Sequence, residues 1–217
     1  MKFNYISLII LSSVLISCGE RSSHSEGPIS DAYDESQDTL KYAEEQYLRN
    51  MRQLTFGGDN AEAYWSFGSD KLVFQATNPA WGEACDQIYW MDLENDSTFS
   101  NSRLNRISNG LGRTTCAYFM PGDERVVFAS THLANDACPE VPPRGPNGEY
   151  VWPIYPSYDI FTASLAGDSL QQITFEPGYD AEATISPNGD RMVFTSTRSG
   201  DLELYTCNLD GSDLVQI

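Results

Sequence analysis

Few residues in this chain are placed to do chemistry. Two histidines, His24 and His132, stand too far apart for an HExxH metal-binding helix. No Gly-x-Ser-x-Gly elbow presents a nucleophilic serine, and no glycine-rich loop with its lysine cradles a phosphate. The sequence therefore reads as non-catalytic. Carboxylates are plentiful: 31 Asp and Glu against 13 Lys and Arg, a formal charge of −18. That balance excludes nucleic acid, which needs clustered Lys and Arg, and adsorption to an anionic bilayer through a basic patch. Most of these carboxylates form a solvated surface, and Asp190, Asp210 and Asp213 are turn formers first. One set recurs in register. Glu62, Cys116 and Glu182 each stand twelve residues before a phenylalanine (Phe74, Phe128, Phe194), and Asn60, Thr114 and Asp180 lie two residues earlier. The other reactive set is five cysteines, at 18, 85, 116, 138 and 207.

The elements that hold these residues form a repeat. Residues 60–74, 114–128 and 180–194 align, each reading as a short strand, a tight turn rich in Pro, Gly, Asn or Asp, and a second apolar strand. A third strand follows at 87–93, 159–165 and 203–209, and a fourth at 106–108, 172–174 and 216–217. Gln53-Leu54-Thr55 is a further copy of this fourth element. From Leu54, the isoleucines 107, 173 and 217 follow at intervals of 53, 66 and 44 residues. The shortest matches the ~40–45 residues of a four-stranded propeller blade. The longer two hold insertions at 78–86 and 132–157. The expected fold is all-β, a β-propeller with about three blades over 52–217, preceded by a short amphipathic helix at 38–51 with Asp38 as its cap.

The stretch Ser186-Pro-Asn-Gly-Asp-Arg-Met-Val-Phe-Thr-Ser196, followed by Glu203-Leu-Tyr-Thr-Cys-Asn-Leu-Asp-Gly211, resembles the TolB-type, WD-like β-propeller repeat. The pattern is broken in the first blade, where Phe67-Gly-Ser replaces Pro-Asp-Gly, and in the second, where Met120 replaces Ser. The resemblance implies a propeller of the bacterial envelope and says little of function. Propellers close with four to eight blades, so three imply a piece of a longer, six-bladed protein, with Gln53-Leu54-Thr55 closing its last blade.

Lys2 followed by the apolar Phe3 to Ile16 is too short for the ~20 residues of a membrane span and reads as a signal peptide over 1–17. Its end, Leu15-Ile16-Ser17-Cys18, resembles the lipobox of bacterial lipoproteins, which implies cleavage before Cys18 and diacylglycerol on its thiol. Residues 18–37 are a polar, acidic tether that includes His24. The chain is thus expected to be exported and lipid-anchored to an envelope membrane, with its propeller in the periplasm or at the cell surface.

In that oxidising compartment four cysteines remain. Cys207 aligns with Met91 and Ala163 and reads as a buried hydrophobe. One disulfide is expected among the others, Cys85–Cys138 before Cys85–Cys116. The competing reading, a zinc site of these three cysteines with His132, lacks any CxxC spacing. In a propeller, Glu62, Cys116 and Glu182 begin three innermost strands. Asn60, Thr114 and Asp180 share their face by period two, at the channel mouth. Trp81, Tyr150, Trp152 and Tyr155 in the insertions would wall it. Such a site suits a basic segment of an envelope protein or peptide; the other reading is that Glu62 and Glu182 accept hydrogen bonds from neighbouring strand amides and hydrate a water-filled channel. No cofactor is expected, a channel cation such as Ca2+ being the one candidate. Two readings stand: a lipid-anchored protein-binding or scaffolding module, and the regulatory propeller of a larger secreted peptidase or amidohydrolase.

Overall fold

The structure of the protein, a computed structural model, describes residues 40–49, 51–93 and 105–217. The expected signal peptide, Cys18 and the 18–37 tether lie outside the described residues. The chain divides into two units, Met1–Arg52 and Gln53–Ile217.

The helix expected at 38–51 is replaced by turns over 40–49. The Glu45 amide donates to the Tyr42 carbonyl at 3.0 Å. Glu45 Oε1 accepts from the amides of Tyr47 at 2.6 Å and Leu48 at 2.9 Å. Those bonds hold the Glu45 carboxyl below its ordinary range. A local carboxylate thus takes amides that a helical turn would use. A helix this short is marginal unless one face is packed, and Tyr42 and Tyr47 are exposed.

The second unit holds twelve strands in three antiparallel sheets, each a meander in chain order. The first blade is β1 (Asp59–Trp65), β2 (Lys71–Thr77), β3 (Gln87–Asp92) and β4 (Asn105–Arg106). The second is β5 (Thr114–Phe119), β6 (Arg125–Ser130), β7 (Asp159–Ser164) and β8 (Gln171–Gln172). The third is β9 (Asp180–Ile185), β10 (Arg191–Ser196), β11 (Glu203–Asn208) and β12 (Val215–Gln216). The first strand of the second blade, β5, touches both β1 and β9, which sets the three innermost strands side by side.

Repeated residues make repeated bonds. Ser66 and Ser186 each open a β-hairpin, their Oγ atoms donating to Asp70 and Asp190 at 2.8 Å and accepting from the amides of Lys71 at 3.0 Å and Arg191 at 3.1 Å. In the fourth element, Ser108 Oγ accepts the Ile88 amide and Thr174 Oγ1 the Ile160 amide, both at 2.9 Å. The broken pattern of the first blade also has a physical role. Asp123, in the turn of the second blade, accepts the amides of Phe67 at 2.8 Å and Gly68 at 2.7 Å. A proline at 67 would have no N–H to give.

The core lies between blades. Adjacent residues Val126 and Val127 are both fully buried because a strand points them to opposite faces of one sheet, and both faces are covered. Val73, Ile88 and Ile107 of the first blade pack with Ala117, Phe119 and Phe128 of the second. Val127 and Ile160 pack in turn with Ala183, Ile185, Met192 and Phe194 of the third. Each such large side chain contributes about 1.5–3 kcal/mol by leaving water. Cys207 is fully buried among them and stands opposite Met192, as Ala163 does Val126 and Met91 does Leu72.

Candidate functional site at the innermost strands

The three register-matched positions share an unusual backbone. Glu62, Cys116 and Glu182 all have positive φ, at 51°, 49° and 61°. Each lies in a bulge of its innermost strand, where the pairing slips between Ala61 and Tyr64, Thr115 and Tyr118, and Ala181 and Thr184. Two residues there oppose one phenylalanine: Phe74, Phe128 or Phe194. A left-handed conformation at a residue with a side chain costs on the order of 1 kcal/mol or more, and bulges re-aim side chains. The same strained bend in three blades, holding Glu, Cys and Glu, marks these positions as the candidate site.

Local partners fix the side chains. Tyr64 Oη donates to Glu62 Oε2 at 2.7 Å, and that bond pushes the Tyr64 phenol up to about 12. Glu182 accepts from Thr195 Oγ1 at 3.1 Å and from Tyr179 Oη at 3.4 Å. Burial raises the Tyr179 phenol, and the Glu182 charge adds to it. Between them, burial pushes the Cys116 thiol up to about 11, and the charges of both Glu62 and Glu182 act in the same direction. Gln75 of the first blade reaches the bend of the second, its Oε1 accepting from the Cys116 amide at 3.0 Å and from Thr115 Oγ1 at 2.9 Å.

Of the residues two positions earlier, Asn60 donates from Nδ2 to the Gly57 carbonyl at 3.1 Å and lines a cavity of the first blade together with Glu62, while the other two stand apart. Thr114 is fully buried and donates to the Asp86 carbonyl at 3.0 Å. Asp180 is buried and pairs with Arg198, Oδ2 to Nη2 at 2.8 Å. The physical reason is the bend itself, since a residue with positive φ breaks the two-residue alternation used to group them.

The aromatic residues also separate. Trp152 lines a cavity with Tyr179 and Glu182 and meets Tyr150 edge to face at 6.0 Å. Tyr155 donates to the Glu140 carbonyl at 2.7 Å and packs on Tyr158. Trp81 stands apart in the first blade, against Tyr89 at 5.3 Å and the cluster of Leu72, Phe74 and Met91. A short 3-10 turn, Pro79–Trp81, capped by Asn78 Oδ1, places it there.

Cys85 and Cys138 form a disulfide that ties the two insertions together, and Cys116 and Cys207 are free. With Cys85 and Cys138 in that bond, the zinc alternative loses two of its four ligands. His132 is taken up by Ser130 Oγ at 2.8 Å and by the Phe161 ring, and burial lowers its pKa. Among the described residues no three of His, Cys, Asp and Glu are grouped to hold a metal ion, so the channel Ca2+ finds no ligand set there. Sequence reasoning missed Tyr64, Gln75, Tyr179 and Thr195. Tyr64 was visible as the residue two after Glu62 in the repeat.

No family model matches the chain. The Tol-Pal system protein TolB of Bordetella pertussis is 43% identical over 55 residues, which is 25% of this chain and 13% of that protein. TolB of Bordetella parapertussis matches at the same identity over 12% of its length. A TolB structure from Agrobacterium tumefaciens superposes on 75% of this chain and 50% of its own, with a TM-score of 0.55 at 18% identity. TolB from Acinetobacter baumannii superposes on 74% of this chain and 33% of its own, with a TM-score of 0.51 at 20% identity. The chain therefore spans half or less of these relatives, and its fold is that of a TolB-like β-propeller.

Proposed function

We propose that this chain is a lipid-anchored propeller of the bacterial envelope that binds a protein partner at the mouth of its channel. The observation that carries the reading is the bend shared by Glu62, Cys116 and Glu182. Three adjacent innermost strands accept backbone strain to present two carboxylates and a thiol at equivalent places, which packing alone does not require. The similarity to Tol-Pal system proteins of Bordetella supports a place among envelope proteins, and the lipobox ending at Cys18 supports anchoring. An acidic mouth on a chain of charge −18 favours a basic partner segment. The propeller is read as a binding surface without catalysis.

The test has two arms. Growth with an alkyne-tagged fatty acid labels the protein, and Cys18→Ala abolishes both label and membrane retention. Affinity isolation from the membrane fraction recovers a defined envelope protein, and Glu62→Gln with Glu182→Gln reduces that recovery at unchanged melting temperature. Label that persists in Cys18→Ala overturns the anchoring. Undiminished recovery by the double variant overturns the channel-mouth site.

A further inference from the structure

The cavity beside Glu182 joins residues of two blades. It measures about 340 Å³ and is lined by Trp152 and Ile154 from the insertion of the second blade and by Tyr179, Glu182, Thr195 and Leu202 of the third. Its walls are aromatic and aliphatic, and Glu182 is its single carboxylate. The partners of that carboxylate are two neutral hydroxyls, Thr195 and Tyr179, and among the described residues no cation pairs with it. Its backbone, held at φ 61°, aims the Cα–Cβ bond, and the two hydroxyls hold the carboxylate.

The same blade shows what fills such an arrangement. Two residues earlier on β9, the Asp180 carboxylate holds the Arg198 guanidinium at 2.8 Å. That guanidinium lies over the rings of Phe194 at 5.3 Å and Tyr205 at 5.1 Å. A carboxylate beside two aromatic rings therefore already recognises an arginine in this fold. Glu182 with Tyr179 and Trp152 repeats the carboxylate and the rings, and lacks the guanidinium. A planar cation suits these walls better than an ammonium, because it stacks on ring faces and is weakly hydrated.

We infer that the cavity bounded by Trp152, Tyr179 and Glu182 receives one arginine side chain of a partner polypeptide, its guanidinium at Glu182 and its stem along Ile154 and Leu202. The inference rests on the protein-binding reading above and names the feature of the partner that this part of the mouth recognises. It also assigns a role to the blade-two insertion, which brings Trp152 over the third blade.

The probe is acetyl-Gly-Arg-Gly-amide, with its citrulline counterpart as an uncharged control of nearly the same shape. The readout on the whole protein is the indole N–H resonance of Trp152, identified with Trp152→Phe. The arginine peptide shifts it saturably at millimolar concentration, and citrulline binds at least about tenfold more weakly. Glu182→Gln removes binding to a similar extent, and Trp152→Ala weakens it by about three- to tenfold, followed then by the Tyr179 ring resonances. Should Glu182→Gln fail to fold, Trp152→Ala on the exposed wall decides. No saturable shift, equal binding of citrulline, or full binding by both variants overturns the pocket. If the peptide fails while recovery of the envelope partner still depends on Glu62 and Glu182, the pocket is wrong and the broader reading stands. If the peptide binds and no partner is recovered, the reverse holds.

Discussion

At the scale of single residues, Asp180 and Glu182 separate structure from recognition. Asp180 is a buried carboxylate paired with Arg198, and removing its charge strands a cation that is itself largely buried. Asp180→Asn is expected to cost about 3 kcal/mol or more in urea unfolding. Glu182→Gln, which leaves two hydroxyl partners able to bond an amide, should change stability by less than about 1 kcal/mol. A large loss in the second variant would make Glu182 a structural residue. Cys116 supplies a chemical reporter of the same place. With its thiol pushed from 9.0 to about 11, it carries about a hundredfold less thiolate at pH 8 than an unperturbed cysteine. Alkylation of native protein should be correspondingly slow, and faster in Glu62→Gln with Glu182→Gln. Tyr64 gives a pH signature. Its phenol is raised from 10.0 to about 12, so the folded state holds the proton that the unfolded state gives up first. That contribution is complete below pH 10 and is lost as pH rises towards 12, and thermal melts of Tyr64→Phe should lose less over that range than the parent, the raised phenols of Tyr89, Tyr158 and Tyr179 supplying the rest.

Among the elements, the contacts that join blades are the ones that sequence could announce only in part. The Cys85–Cys138 bond closes 53 residues across two insertions. Replacing both cysteines with serine should lower stability by about 2–4 kcal/mol, read from denaturant midpoints against the parent. The Asp123 clamp on the amides of Phe67 and Gly68 predicts a loss of about 1 kcal/mol in Asp123→Ala, and no further loss when Phe67→Pro is added. The blades themselves were legible because apolar strands recur in one register and each hairpin turn keeps its Gly and Asp. The match of Glu62, Cys116 and Glu182 came from that same register. What alternation could not convey was the bend at those positions, since positive φ at a Glu or Cys leaves no compositional trace. Thr114 and Asp180 were therefore grouped with side chains they do not meet. The short helix failed for a different reason: periodicity at 40, 43, 47 and 51 records which residues could share a face, and says nothing of whether that face is packed.

For the whole molecule, three blades in register carry the proposed channel mouth, with Glu62 and Glu182, on a chain of charge −18. Association with a basic segment should slow as salt rises, because charges farther apart than about 8 Å are largely screened at physiological ionic strength. Recognition is proposed to happen at this end of the strands and nowhere else on the blades. Site-specific photocrosslinking in living cells tests it most directly, with the reactive residue at Ile154 beside the cavity or at the exposed Ser212 in the turn after β11, at the far end of the third blade. A discrete adduct with an envelope protein is expected from Ile154, diminished when Glu62→Gln and Glu182→Gln are added, and none from Ser212. Adducts of equal yield from both positions, or from Ser212 alone, would contradict it.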